Sequence, residues 1–137
     1  MRLQLALNVR NLDEAVAYYS KLFDVEPHKR RPGYANFAVD SPPLKLVLFE
    51  HPEAVERLNH LGVEVFEPNQ ITETLNRLDQ AGILSNVEQH TNCCHATQDK
   101  LWSEEPQGLR WEWYRITDDS PEIKADPSGM VCCAKSG

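Results

Sequence analysis

The sequence predicts an α+β fold in which one βαβββ module occurs twice. Short apolar segments bounded by Pro, Gly and Asp are typical of strands, and two longer segments have apolar residues at helical spacing. The order of strand, helix and further strands begins again near residue 59, which indicates an internal repeat. The chain has 137 residues, so we expect a single domain over residues 1–116, with modules at about residues 1–50 and 57–116.

The first module begins with the mostly apolar residues 3–9, which predict a strand. Asn11 follows at the position of a helix N-cap, and Glu14 completes an arrangement that resembles a capping box. Apolar residues then recur at helical spacing, so we predict a helix over residues 12–23. Further strands are expected over residues 34–39 and 44–49, with a short additional strand around residues 25–30.

The second module begins with residues 59–65, which predict a strand like that of residues 3–9. Asn69 is the predicted N-cap of a second helix, and Gly82 is predicted to end that helix. The remaining strands are expected over residues 85–89, 96–102 and 109–116, with a loop around residues 90–95. Residues 117–137 are rich in Asp, Ser, Pro and Gly without apolar periodicity, so we expect a flexible polar tail.

The charge balance restricts the class of partner. The chain has 14 basic and 21 acidic residues, a net charge of −7, and an isoelectric point near 5.2. General nucleic-acid binding needs a basic surface, so no nucleic-acid partner is expected. No apolar run approaches the ~18 residues of a transmembrane helix, and the N-terminus lacks the pattern of a signal peptide. We therefore expect a cytoplasmic protein without a membrane partner.

The four cysteines form two adjacent pairs, Cys93-Cys94 and Cys132-Cys133. Neither pair has the CxxC spacing of a zinc ribbon or a thioredoxin-like site. Single cysteines are usually small buried apolar residues, and a disulfide between the two pairs is geometrically possible. Free thiols are expected in a reducing cytoplasm. Thiolates bind soft ligands, so we interpret Cys93-Cys94 as a site for a thiophilic ligand.

Three polar residues lie inside predicted strands among apolar neighbours: Gln4, His60 and Glu112. Glu112 stands between two tryptophans, where burial of a carboxylate is costly unless a cation compensates it. Alternatively, Glu112 lies on the solvent face of its strand and His60 is an ordinary core or surface histidine. The repeat favours a shared site, because it places Gln4 and His60 at matched positions. It aligns Glu112 with Val47, which cannot bind a metal, so three ligands and open positions are predicted.

The sequence resembles the vicinal oxygen chelate superfamily, which includes glyoxalases, extradiol dioxygenases and fosfomycin-resistance proteins. It is most similar to the arsenic-inducible C–As lyases and the related cadmium-induced proteins. The resemblance covers about residues 1–116. The segments that carry it are VAYYSKLF at 16–23, RPGYANFA at 31–38, PPLKLVL at 42–48, LNHLGVEV at 58–65 and CCHATQDKLW at 93–102.

The resemblance implies one vicinal oxygen chelate domain, built from two βαβββ modules, that encloses an Fe(II) site. By position its ligands are Gln4, His60 and Glu112, and no catalytic residue beyond these ligands is implied. Many members of the superfamily have histidine where this chain has Gln4, which offers a neutral carbonyl oxygen instead. This donor set suits labile Fe(II) or Mn(II) better than a tightly held structural zinc.

The resemblance also implies that Cys93-Cys94 holds a trivalent organoarsenical, and Cys132-Cys133 is a possible site of substrate capture. Methylarsenite has two exchangeable oxygens, which two thiolates can replace while the As–C bond stays intact. The implied activity is Fe(II)- and O2-dependent cleavage of the carbon–arsenic bond of methylarsenite or aryl arsenites, which releases arsenite. One alternative is a non-catalytic cadmium- or arsenite-binding resistance protein. Another is a different iron dioxygenase or glyoxalase-like enzyme.

Overall fold

The computed structural model describes residues 1–93 and 96–119. This part of the chain has eight strands and two helices in the order βαβββ followed by βαβββ, which confirms the predicted α+β fold. The helices are α1 Leu12–Phe23 and α2 Pro68–Gln80. The strands are β1 Arg2–Val9, β2 Lys29–Arg31, β3 Tyr34–Val39, β4 Leu44–Glu50, β5 Leu58–Glu64, β6 Asn86–Cys93, β7 Ala96–Glu104 and β8 Arg110–Asp118.

The described residues divide into two compact units, Arg2–Gly62 and those from Val63 onward, with the boundary inside β5. In the first unit β1 pairs in parallel with β4, which pairs antiparallel with β3, and β3 pairs with β2. In the second unit β8 pairs antiparallel with β7, and β7 pairs with β6. The strand order β1-β4-β3-β2 thus recurs as β5-β8-β7-β6, as the internal repeat predicts.

Helix α1 covers one face of the first unit. Its N-cap is Asn11 as predicted, and the Asn11 Oδ1 accepts a hydrogen bond of 3.0 Å from the backbone N–H of Glu14. Leu12 and Val16 pack into the main core of this unit. The same core receives three alternate residues of β1: Leu5, Leu7 and Val9. Because side chains alternate along a strand, Gln4, Ala6 and Asn8 point to the opposite face, and all three are buried there.

Helix α2 begins earlier than predicted, and Asn69 is not its N-cap. The cap is Glu67, and Pro68 takes the first helical position, where its fixed φ suits the helix and its missing N–H costs nothing. The Gln70 Oε1 accepts hydrogen bonds from the backbone N–H groups of Phe66 and Glu67, at 3.1 and 3.0 Å. These contacts fix the N-cap two residues before the asparagine that the sequence suggested.

Strand β6 is longer than predicted and includes most of the predicted loop. It continues to Cys93, which pairs with Ala96 at the start of β7. The register between the two strands shifts between Glu88 and Thr91, and His90 has a positive φ of 51°. A strand with such an irregularity has no clean alternation, which explains why the pattern in the sequence ended early.

Strand β8 also exceeds its prediction and ends at Asp118 rather than residue 116. The predicted flexible tail therefore begins inside a strand, and its remainder from residue 120 lies outside the described residues. Among residues 1–93 and 96–119, neither helix has the length and apolar composition needed to cross a membrane.

Candidate metal centre

Gln4 and His60 lie side by side in the unit Arg2–Gly62. Each is the third residue of its strand, β1 or β5, which is the matched position that the repeat predicts. Both side chains are buried, with 5% of Gln4 and 3% of His60 exposed. The Gln4 Nε2 is 3.0 Å from the His60 Nε2. A neutral amide and an imidazole are therefore in direct contact on the face of the sheet that α1 does not cover.

The imidazole of His60 is oriented by its neighbour in sequence. The His60 Nδ1 is 2.7 Å from the Asn59 Oδ1. An amide oxygen only accepts hydrogen bonds, so the Nδ1 carries the proton and donates it. The Nε2 then carries the lone pair and accepts from the Gln4 amide. A histidine that ligates a metal through Nε2 needs this tautomer.

Glu112 lies on β8 in the second unit and is buried, with 3% of it exposed, which excludes the solvent-face alternative. The Lys100 Nζ on the neighbouring strand β7 is 3.6 Å from the Glu112 Oε2, close enough for an ion pair. Burial of a carboxylate requires a compensating charge, and Lys100 supplies one. Lysine therefore provides part of the positive charge that the sequence argument assigned to a metal ion.

The side chains around Lys100 form a second polar group on β6, β7 and β8. The Trp102 Nε1 donates a hydrogen bond of 3.0 Å to the Glu88 Oε2. The Lys100 Nζ lies 5.9 Å from the centre of the Trp102 ring system, and the guanidinium carbon of Arg110 lies 5.1 Å from it. Two cations on one indole, with a carboxylate at its N–H, hold this ring in a single orientation.

The structure reports on only one of the four cysteines. Cys93 is the last residue of β6, so it belongs to a strand rather than to the predicted loop. Cys94, Cys132 and Cys133 lie outside the described residues. The role of Cys93-Cys94 in substrate binding and of Cys132-Cys133 in substrate capture stays a prediction.

The predicted ligand set is divided between the two units. Gln4 and His60 are in the first, Glu112 is in the second, and their convergence on one ion stays a prediction. Among the residues that the structure describes, no group of three or more His, Cys, Asp or Glu side chains is placed to hold a metal. The predicted set contains only two residues of those types, because its third member is a glutamine.

Three side chains at these positions were not predicted from the sequence: Asn8, Asn59 and Lys100. Asn8 lies four residues from Gln4 on the same face of β1, and Asn59 directly precedes His60. The sequence did contain a signal for Asn8, because a polar residue four positions after the candidate ligand Gln4 lies on the same face of the strand. Lys100 had no such signal, because its distance to Glu112 depends on the register between β7 and β8.

Comparison with known proteins identifies the family of the chain. The model of the glyoxalase/bleomycin resistance protein/dioxygenase superfamily matches residues 3–113. The cadmium-induced protein CadI of Mycobacterium tuberculosis is 52% identical over 140 residues, which cover 96% of this chain and 92% of that protein. The trivalent organoarsenical cleaving enzyme of Thermomonospora curvata is 48% identical over 134 residues, which cover 96% and 87%.

Among solved structures, the Mn(II)-bound glyoxalase of Novosphingobium aromaticivorans superposes with a TM-score of 0.63. The match covers 90% of this chain and 41% of that chain at 15% identity, so it shows a common fold. The strand order, the extent of the family match and the two relatives lead to one conclusion. The chain belongs to the glyoxalase/bleomycin resistance protein/dioxygenase superfamily, the vicinal oxygen chelate family.

Proposed function

We propose that this protein cleaves the carbon–arsenic bond of trivalent organoarsenicals in a reaction that requires Fe(II) and O2 and releases arsenite. The observation that carries the proposal is the buried His60, whose Nε2 has the lone pair that a metal ion requires and faces the side chain of Gln4. The likeness to a trivalent organoarsenical cleaving enzyme over nearly the whole chain supports the choice of substrate.

The donors present fit an iron(II) site. Gln4 offers an amide oxygen once its side chain turns, His60 an imidazole nitrogen, and Glu112 a buried carboxylate. One nitrogen and two kinds of oxygen donor suit Fe(II) and Mn(II) better than soft ions such as Cd(II), which prefer thiolates. When bound, Fe(II) would supply the activation of dioxygen, and the buried side chains of Gln4, His60 and Glu112 would hold the ion.

The substrate is proposed to bind through the thiolates of Cys93 and Cys94. Two thiolates replace the two exchangeable oxygens of methylarsenite or an aryl arsenite, and the organic group remains on arsenic. The place of Cys93 at the end of β6 supports this role, since a strand end fixes the backbone of Cys93 more closely than a long loop does. A fixed arsenic atom presents its As–C bond in a constant direction, which favours reaction.

A second candidate function is the non-catalytic binding of cadmium or arsenite as a resistance protein. The 52% identity to the protein named cadmium-induced protein CadI favours it. Cadmium would then be held by the cysteines rather than by the oxygen-rich set around His60. For either function we propose a cytoplasmic location, where the thiols stay reduced, and no nucleic-acid or membrane partner.

Arsenite release by purified full-length protein separates these candidates. We expect release from methylarsenite in the presence of Fe(II) and air, and none from His60→Ala protein that retains its fold. The exposed His51→Ala is the matched control and should react at the wild-type rate. Tight binding of methylarsenite without release of arsenite at any Fe(II) concentration would contradict catalysis and support the binding protein.

A further inference from the structure

We propose that Asn8 and Asn59 are positioning residues that fix the tautomer of His60 and so make its Nε2 available to a metal ion. The inference rests on the proposed role of His60 as a metal ligand. It names two residues with no direct part in ligation, on which metal affinity should nevertheless depend. All the groups in the argument lie in the unit Arg2–Gly62.

A backbone carbonyl sets the orientation of the Asn8 side chain. The Asn8 Nδ2 donates a hydrogen bond of 3.0 Å to the carbonyl oxygen of Glu56. A carbonyl oxygen only accepts, so the Asn8 amide has one allowed orientation, with Nδ2 toward Glu56 and Oδ1 away from it. The Asn8 Oδ1 in turn accepts a hydrogen bond of 3.0 Å from the Asn59 Nδ2.

The polarity set at Glu56 passes through both amides to the imidazole. Because the Asn59 Nδ2 is directed at Asn8, its Oδ1 is directed at the His60 Nδ1, at 2.7 Å. The Nδ1 must therefore carry the proton, and the Nε2 must not. The contact between the Gln4 Nε2 and the His60 Nε2 agrees from the opposite end, since an amide nitrogen can only donate there.

The backbone of Asn8 also binds the residue that follows Glu56. The backbone N–H of Asn8 donates a hydrogen bond of 2.7 Å to the carbonyl oxygen of Arg57. Asn8 thus binds two consecutive carbonyls, one with its backbone and one with its side chain, and 5% of the residue is exposed. A reversed Asn8 amide would bring its oxygen against the oxygen of Glu56, and burial would make that repulsion costly.

Without the hydrogen bond to the Asn8 Oδ1, the Asn59 amide can turn over and present its Nδ2 to the imidazole. The Nδ1 would then accept, the proton would move to the Nε2, and the nitrogen that faces Gln4 would no longer bind a metal ion. Loss of such an orienting partner typically lowers metal affinity about 10- to 100-fold. The same loss is expected when Asn59 itself is removed.

The test titrates the metal-free full-length protein with Mn(II) alone and measures the Kd by calorimetry. Asn8→Leu and Asn59→Leu should each weaken Mn(II) binding about 10- to 100-fold. The double variant Asn8→Leu/Asn59→Asp should restore the wild-type Kd to within about threefold, since aspartate can only accept from the Nδ1 and needs no orienting hydrogen bond. A purely structural role of Asn8 would not be rescued in this way. Asn36→Leu, which removes a buried asparagine on β3, is the matched control and should keep the wild-type Kd.

A second measurement reads the tautomer directly in the metal-free protein. Nitrogen-15 NMR at about pH 8, above the usual titration range of histidine, should show His60 protonated at Nδ1 in the wild type. Asn8→Leu should shift the population toward the Nε2–H form.

An Nε2–H tautomer in the wild type, a wild-type Kd in Asn8→Leu, or no rescue in the double variant would overturn the inference. If His60→Ala binds Mn(II) as tightly as wild type, the ligand role of His60 fails. If His60→Ala loses Mn(II) binding while Asn8→Leu and Asn59→Leu retain it, the ligand role of His60 stands and the positioning role fails.

Discussion

Glu112 is a buried acid whose structural role and proposed metal-binding role can be separated by also replacing its ion-pair partner, Lys100. Its carboxylate forms an ion pair with Lys100 on the next strand, and 4% of the Glu112 side chain and 14% of the Lys100 side chain are exposed. A carboxylate in this setting contributes to folding whether or not it also binds a metal. A single substitution of Glu112 therefore mixes the two effects, and a paired substitution is needed to distinguish them.

We expect Glu112→Gln to abolish Fe(II)-dependent arsenite release and to lower the free energy of unfolding by about 1–3 kcal/mol, because Lys100 loses its charged partner. Replacing Lys100 as well, in Glu112→Gln/Lys100→Gln, should recover most of the stability but none of the activity. Urea unfolding and arsenite assays on the same samples measure both. Activity in the double variant near that of wild type would show that Glu112 is only a structural partner of Lys100.

Cys93 permits a prediction at the same scale. Cys93→Ser replaces a soft sulfur by a hard oxygen, so it should eliminate turnover of methylarsenite while the Mn(II) Kd of the protein stays within about twofold of wild type. Cys94→Ser should behave alike. The comparison variant Cys132→Ser/Cys133→Ser should retain turnover at saturating substrate. Full activity in both single variants would show that Cys93 and Cys94 do not bind the arsenical.

At the scale of elements, local signals predicted the N-cap of α1 correctly and the N-cap of α2 incorrectly. The start of α1 could be predicted because its cap, Asn11, and the residue that the cap binds, Glu14, are only three residues apart in sequence. In α2 the apolar pattern predicted the helix correctly, but Asn69 was predicted as the N-cap and the N-cap is Glu67. The effect of proline at the first position and the reach of Gln70 back to two N–H groups outweighed the preference of asparagine for caps.

This difference in α2 can be measured. Gln70→Ala removes the acceptor of two backbone hydrogen bonds and should lower the free energy of unfolding by about 1 kcal/mol. Asn69→Ala, one residue earlier and exposed, should change it by less than about 0.5 kcal/mol. Both are read from urea denaturation at equal slope. A larger loss in Asn69→Ala than in Gln70→Ala would restore Asn69 as the cap.

Only those residues of the candidate site that occupy matched positions in the two modules could be paired from the sequence. Gln4 and His60 could be paired because β1 and β5 occupy matched places in the two modules. The Asn8–Asn59 hydrogen bond joins residues 51 positions apart, and no periodicity of either strand reports it. Lys100 was equally inaccessible, because the β7–β8 register shifts between Thr97 and Gln98 and a shift of one residue moves side chains to the other face.

For the molecule as a whole, the proposed chemistry makes strict demands on substrate and oxidant. Pentavalent methylarsenate does not exchange oxygens readily for thiolates, so the protein should release no arsenite from it until it is reduced. Methylarsenite should be stable in the presence of the Fe(II)-loaded protein under strict anaerobic conditions and should react when air is admitted. Turnover without oxygen would exclude the dioxygenase reaction and indicate a hydrolytic or thiol-transfer route.

The second cysteine pair follows, in the sequence, every residue proposed to bind the metal or to hold the arsenical. Gln4, His60, Glu112 and Cys93 all precede Asp119, the last described residue, whereas Cys132-Cys133 follows it. Cysteines that only capture an arsenical raise its occupancy of the catalytic pair and have no part in breaking the As–C bond. Truncation after residue 120 should therefore leave kcat unchanged and raise KM for methylarsenite several-fold.

Steady-state rates over a range of methylarsenite concentrations, at matched Fe(II), measure both constants for the truncated and full-length proteins. A fall in kcat on truncation, together with full activity of Cys93→Ser and Cys94→Ser, would assign the holding of the arsenic atom to Cys132-Cys133 instead.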